Sequence, residues 1–244
     1  MRPELFVEMA AVQRRHWWYA ARRDILSGLI DTFDLSAAAK ILEIGCGTGA
    51  NLQMLAQHGA LSAMEYDAEA RALAAALAHC EVQPGGLPHD LPYDNASFDL
   101  VCMLDVLEHI EHDDAALARV LALAKPGGRL LVTVPAYQWL WSHHDVEHHH
   151  FRRYTAKVLA AQARAAGWEV ERAAYFNTLL FPLVAVARLA ANMLQRKQPA
   201  GASMPAAPVN AVLRAVFGAE RRVVAARGGF PFGVSVVAVL RRPA

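Results

Sequence analysis

Cysteine is scarce in this chain. Cys46, Cys80 and Cys102 are its three, and none stands in C-x-x-C spacing, so neither a disulfide framework nor a structural zinc site is expected. Each reads as a small buried apolar residue in a reducing compartment. Net charge is missing as well: 24 Lys+Arg face 23 Asp+Glu, which supplies no basic field for nucleic acid and no acidic tail. A small-molecule or lipid-like partner is the expectation, with no nucleic acid. The sequence also lacks a bilayer-spanning run, because the apolar stretch Leu179 to Leu194 is broken by Pro182 and Arg188 and falls short of the ~20 residues a span needs. Met1 to Met9 carry Glu4 and Glu8 and no apolar signal core, so a cytoplasmic protein without a secretory peptide is expected.

What is present is an α/β pattern. At 244 residues the chain can bury one substantial core, and a single domain over 1–244 is expected. Its pivot is Ile41 to Gly49, Ile-Leu-Glu-Ile-Gly-Cys-Gly-Thr-Gly. A short apolar run opening into alternating glycines is the pattern of a buried parallel strand that turns at a ligand, with a helix following from Ala50 to His58. Gly45, Gly47 and Gly49 permit positive φ and leave no Cβ between backbone and cofactor. Gly45, Gly47 and Ala50 satisfy G-x-G-x-x-G/A, so a nicotinamide dinucleotide competes with other nucleotide-like ligands. Glu43, two residues before the first glycine, would repel a pyrophosphate yet accept hydrogen bonds from an ammonium group.

Ile41 to Gly49 thereby resembles motif I of the class I S-adenosylmethionine (SAM)-dependent methyltransferases, E/D-x-G-x-G-x-G. The resemblance implies a Rossmann-like, seven-stranded sheet, mostly parallel with one antiparallel strand and helices on both faces. It also implies SAM as methyl donor, with Glu43, Gly45, Cys46, Gly47 and Gly49 around its methionine end. Further landmarks are similar to the small-molecule and quinone branch of the family: Asp105-Val-Leu-Glu-His-Ile110 after the strand Phe98 to Leu104, and Lys125-Pro-Gly-Gly128 before the strand Arg129 to Pro135.

The strand Leu61 to Tyr66 ends about twenty residues past the turn, where Glu65 can accept from a ribose diol, with Tyr66 beside it. Asp67 is expected to cap the helix Glu69 to His79. A short strand near Cys80 to Val82 leads to a Pro/Gly loop, 84–93, in which the resemblance places Asp90 and Leu91 against adenine. Asp105 lies at the carboxyl end of the fourth strand, where open α/β sheets hold ligands.

Candidate catalytic residues are imidazoles. His109 is a general-base candidate, or a structural histidine at a helix start. In Tyr137 to Tyr154, His144 and His150 are placed in the acceptor site, with Asp145 to orient an imidazole and Arg152 and Arg153 to hold an anionic group; a solvated helix start with an arginine rim is the plainer alternative. The run His143, His144, Asp145, Glu147, His148, His149 and His150 has metal-binding residue types. Consecutive histidines in one loop cannot all converge, and methyl transfer does not require a metal, so no metal ligand is assigned.

Residues 1–35 are expected to form a helical cap in which Trp17, Trp18 and Tyr19 pack on the domain, with arginines at the rim. Residues 177–231 interrupt the return to the last strand, Gly233 to Leu240. They read as an apolar helix, Leu179 to Leu194, a linker, Pro199 to Pro208, and a second helix, Val209 to Ala226. A lid, a homodimer surface and a peripheral membrane contact through 177–194 are the open readings of this insertion. The expected function is methyl transfer from SAM to a small or lipid-like acceptor at oxygen; a non-catalytic SAM-binding regulator and an NAD(P)-binding oxidoreductase are the alternatives.

Overall fold

The computed structural model describes residue 7, residues 10–194 and residues 204–244. Part of the expected cap and half of the expected linker Pro199 to Pro208 lie outside these residues.

Seven strands form one sheet: β1 (Lys40–Ile44), β2 (Ala60–Glu65), β3 (Val82–Pro84), β4 (Phe98–Leu104), β5 (Ala124–Pro135), β6 (Glu169–Phe176) and β7 (Ser235–Arg241). Their order is β3-β2-β1-β4-β5-β7-β6. Only β7 runs against its neighbours, pairing antiparallel with both β5 and β6. The central strands are apolar on both sides, as a sheet covered on both faces requires; Leu42 and Val101 face one core, and Ile41 and Leu100 face the other.

Helices α1 (Trp17–Ile30), α2 (Leu52–Leu55), α3 (Ala68–Ala75), α4 (Asp113–Leu123), α5 (His143–Glu147), α6 (Ala156–Ala165), α7 (Phe181–Met193), α8 (Ala207–Gly218) and α9 (Arg221–Arg227) complete the described structure. Leu117 and Val120 of α4 and Leu159 and Ala163 of α6 fill one core. On the other face Ile25, Leu26 and Leu29 of α1 meet Phe217 of α8 and Val224 of α9.

The cap and the insertion are therefore one layer. Trp18 stacks on Phe217 at 5.3 Å, and Asn210 of α8 accepts from the Trp17 N–H while donating to the Arg15 carbonyl. The expected helix Val209 to Ala226 is two helices separated by a turn at Ala219 and Glu220, where the Glu220 carboxylate accepts the N–H groups of Asn177, Thr178 and Leu179. β5 begins earlier than expected, at Ala124, which pairs with Phe98; Lys125 to Gly128 then bulge out before pairing with β4 resumes at Leu100 and Arg129. Among the described residues no helix is long and apolar enough to cross a membrane.

Candidate active site

Strands β1 and β4 are neighbours whose connections leave the sheet in opposite directions, and a crevice opens at their carboxyl ends. It is a cavity of about 1030 Å³. The turn after β1 forms one wall. Gly45 (φ +67°) and Gly47 (φ +54°) hold left-handed backbone, and a Cβ on Gly47 would meet nothing within 4 Å, so this peptide faces open space. Gly49 does not line the cavity; it packs against Leu77 and Leu52, which explains its lack of a side chain through helix packing.

At the end of β2, Glu65 accepts the Gly47 N–H through Oε2 (2.8 Å) and the Asp67 N–H through Oε1 (2.9 Å). Its carboxylate is thus fixed on the cavity wall, with Tyr66 exposed beside it. Asp67 caps α3, accepting from the Glu69 and Ala70 amides. In the Pro/Gly loop, Asp90 lines the cavity, whereas Leu91 packs into the sheet core. Gly86 and Asp90 exchange backbone hydrogen bonds, and that tight loop exposes Leu87 to the cavity instead.

Glu43 is buried behind the turn and does not line the cavity. Its Oε1 accepts from Asn51 Nδ2 at 2.8 Å, and Asn51 is on the wall. Glu43 Oε2 has no hydrogen-bond partner. Burial raises its pKa from 4.5 to about 7, against the opposing pull of Asn51 and Arg22.

Opposite the turn, Asp105 (φ +61°) is clamped by Arg22 at 3.0 Å and by the Thr133 hydroxyl at 3.0 Å. Arg14 and Arg15 are exposed as expected of a rim, but Arg22 is buried and belongs to the site. Gln13 extends the cap across the glycine turn by accepting from the Thr48 hydroxyl at 2.7 Å.

The far wall is imidazole. His109, His144, His148 and His150 all line the cavity; the His109 and His150 rings meet edge to face at 4.6 Å, and His144 lies 4.1 Å from His148. Burial, then the neighbouring His150 and His148, lowers the His109 pKa to about 3; burial, then His148 and Arg188, lowers that of His144 to about 3. Both rings are neutral near pH 7. Asp145 organises this wall from full burial, accepting from His150 Nδ1 (2.9 Å), from Arg153 Nε and Nη2 (2.8 and 2.9 Å) and from the Ser142 N–H. Burial alone would raise its pKa, but the hydrogen bonds from His150 and Arg153 and the Arg153 charge outweigh it and hold the carboxyl well below the usual range.

Of the two acceptor-site imidazoles it is His150 that Asp145 orients, because the capping box of α5 turns the carboxylate inward. The arginines have internal partners instead of an anionic acceptor: Arg153 holds Asp145, and Arg152 pairs with Asp113 at 2.8 Å. Glu108, Arg22, Gln13, Asn51, Leu87 and Arg188 line the cavity without having been assigned to the site from the sequence, although Glu108 stands within the Asp105 to Ile110 landmark.

A methyltransferase domain family matches residues 14–173, more than half of the chain. The chain belongs to this methyltransferase family. Its fold is that of the class I SAM-dependent methyltransferases. Curated relatives agree. The mitochondrial ubiquinone biosynthesis O-methyltransferase of Schizosaccharomyces pombe is 31% identical over 127 residues, 48% of this chain and 46% of the relative. The demethylmenaquinone methyltransferase of Tropheryma whipplei is 28% identical over 128 residues, 51% of this chain and 50% of the relative. The chain spans about half the length of these relatives. The fold is shared with phosphoethanolamine N-methyltransferase 2 of Haemonchus contortus, solved with S-adenosyl-L-methionine, at a TM-score of 0.58 and 17% identity, covering 90% of this chain and 52% of that one.

The residues of this methyltransferase suit that cofactor. The Gly47 peptide leaves room for a ligand at the main chain, and the fixed, half-buried Glu65 carboxylate can accept from hydroxyls and disfavours phosphate.

Proposed function

We propose that this methyltransferase moves the methyl group of SAM to an oxygen of a small or lipid-like acceptor, and that the acceptor lies against the wall of His109, His144 and His150. The observation that carries this is the sharing of one cavity by the glycine turn with Glu65 and by three imidazoles on the opposite side. SAM supplies an electrophilic methyl on a sulfonium. The protein supplies alignment in the cavity and a set of lone pairs to receive or bind the acceptor's hydroxyl.

In this reading Gly45, Cys46 and Gly47 form the backbone bed for the cofactor's methionine end, with Gly49 keeping the following helix close. Glu65 takes the ribose, and Tyr66, Asp90 and Leu87 border the base, with Leu91 supporting them from the core. Glu43 acts through Asn51: by accepting from Nδ2 it fixes the amide so that Oδ1 is what Asn51 can offer a cationic ammonium. Asp105, held by Arg22, closes the side facing β4.

The quinone-pathway names of the two curated relatives support a lipid-like acceptor. So does α7, whose Leu183, Val186 and Met193 are 62, 67 and 85% exposed. We assign this stripe to a lipid surface from which the acceptor is drawn. Sedimentation of the full chain with anionic liposomes tests it, and a protein left wholly in the supernatant would end the assignment.

The main reading is tested with labelled SAM and a panel of hydroxylated aromatic and prenylated acceptors. His144→Ala and His150→Ala should each lower turnover by about 10²-fold or more while the Kd for SAM shifts by no more than about 2-fold. Unchanged turnover in both variants would remove the imidazole wall from the reaction.

A further inference from the structure

We propose that Glu108, His109 and His150 bind one divalent transition-metal ion, and that this ion takes the acceptor through two neighbouring oxygens; the second half rests on the methyl-transfer reading above. One ligating atom from each of the three residues lies within 4.8 Å of the other two. All three line the cavity. The set differs from the histidine run weighed in the sequence, because two ligands come from the segment after β4 and only one from the loop before α6.

Each residue is prepared for a cation independently of that spacing. Glu108 is 1% exposed, and its Oε2 has no hydrogen-bond partner. A buried carboxylate oxygen with no donor is costly unless a proton or a cation meets it. His150 gives its Nδ1 hydrogen to Asp145, a carboxylate that can only accept, so the lone pair resides on Nε2. His109 donates one ring nitrogen to the His148 backbone, which leaves a lone pair on the other. Asp145 is in turn pinned by Arg153 and Ser142. This carboxylate or carbonyl behind each imidazole is the outer support that metal-ligating histidines carry.

Two imidazoles and one carboxylate favour ions such as Mn²⁺, Fe²⁺, Co²⁺ or Zn²⁺ over Mg²⁺ and Ca²⁺. Three protein ligands leave coordination positions open. An acceptor presenting two adjacent oxygens, as a catechol does, fills two of them and fixes which oxygen faces the methyl donor. Bound to the ion, the acceptor's O–H ionises more readily and its proton leaves to solvent. The oxygen forms the new O–CH₃ bond as the methyl's bond to sulfur breaks and sulfur keeps the electron pair. The products are the methyl ether, S-adenosylhomocysteine and one proton, with the metal's oxidation state unchanged.

The test uses the full chain, stripped with EDTA and titrated with Co²⁺ by absorption spectroscopy and calorimetry. One Co²⁺ per chain is expected, with affinity lowered at least about 10-fold in Glu108→Gln and in His109→Gln, and with a visible spectrum that catechol shifts and phenol does not. Circular dichroism shows which variants are folded, and either one suffices. Failure of the wild type to bind a stoichiometric ion, or unchanged affinity in the folded variants, overturns the site. Methyl transfer at full rate by the stripped enzyme overturns the ion's role. SAM binding by the stripped enzyme is measured alongside: retained SAM binding without Co²⁺ binding sinks the metal site alone, whereas Co²⁺ binding without transfer to any acceptor sinks the methyl-transfer reading and leaves the site.

Discussion

Glu43 carries a carboxyl whose proton the fold retains up to about pH 7. Its raised pKa means that the folded state binds more protons than the unfolded chain between pH 4.5 and 7. The stability it contributes is thus fully present below about 4.5 and lost as pH rises through about 7, on the order of 3 kcal/mol in all. A cationic amino group nearby favours the charged form, so SAM binding should release a proton and tighten as pH rises towards 7. Calorimetry across pH 5–8 should show that dependence in the wild type and not in Glu43→Gln; identical pH profiles would refute the role. The glycines divide in a similar way. A Cβ on Gly45 would stand 2.8 Å from Val106 Cγ2, whereas one on Gly47 stands in open space. Gly45→Ala should destabilise the fold by about 1–3 kcal/mol through clash and strain. Gly47→Ala should retain most stability, with only its left-handed strain of about 1 kcal/mol, but lose SAM affinity. A Gly47→Ala protein binding SAM like the wild type would show that the cofactor does not lie on that peptide.

At the scale of elements, α5 is short, yet it decides the active-site electrostatics. Asp145 at its third position accepts from Ser142, His150 and Arg153 at once, so Asp145→Asn leaves Arg153 buried without its counter-charge. We expect a loss of about 3–5 kcal/mol in urea unfolding; a loss below 1 kcal/mol would show that the cluster is dispensable. Glu220 does comparable work between α8 and α9, holding three successive amides at the start of the insertion. Glu220→Ala should cost at least about 2 kcal/mol, since buried N–H groups lose their acceptor, and thermal unfolding with an unshifted Tm would contradict it. These elements also mark where the sequence ceased to be legible. Ile41 to Gly49, Glu65 and Asp105 could be placed because strand apolarity, glycine spacing and strand-end position are local signals. Which imidazole Asp145 would choose, whether Leu87 or Leu91 would face the ligand, and why the helix after residue 209 would break at Glu220 each depend on partners far along the chain.

Across the whole molecule, the seven-stranded sheet with its single antiparallel strand was implied by the resemblance of Ile41 to Gly49 to motif I, while the joining of cap and insertion was not. That joining places Trp17, Trp18 and Tyr19 over the cavity by way of α8, so cofactor enclosure depends on the insertion. Phe217→Ala should weaken SAM binding although Phe217 does not line the cavity, and it should lower stability by about 3–5 kcal/mol. Equal SAM affinity in a folded Phe217→Ala protein would separate the cap from the insertion functionally.

The position of β7 has a consequence for synthesis on the ribosome. It is made after the insertion, yet it lies between β5 and β6, so β6 has no hydrogen-bonded place in the sheet until residues 235–241 emerge. The nascent chain carries an unfinished sheet with an open edge at β5 through the synthesis of α7, α8 and α9. Folding must therefore finish from the carboxyl side, and a chain stalled before residue 235 would present β5 and the apolar face of α7 together to chaperones.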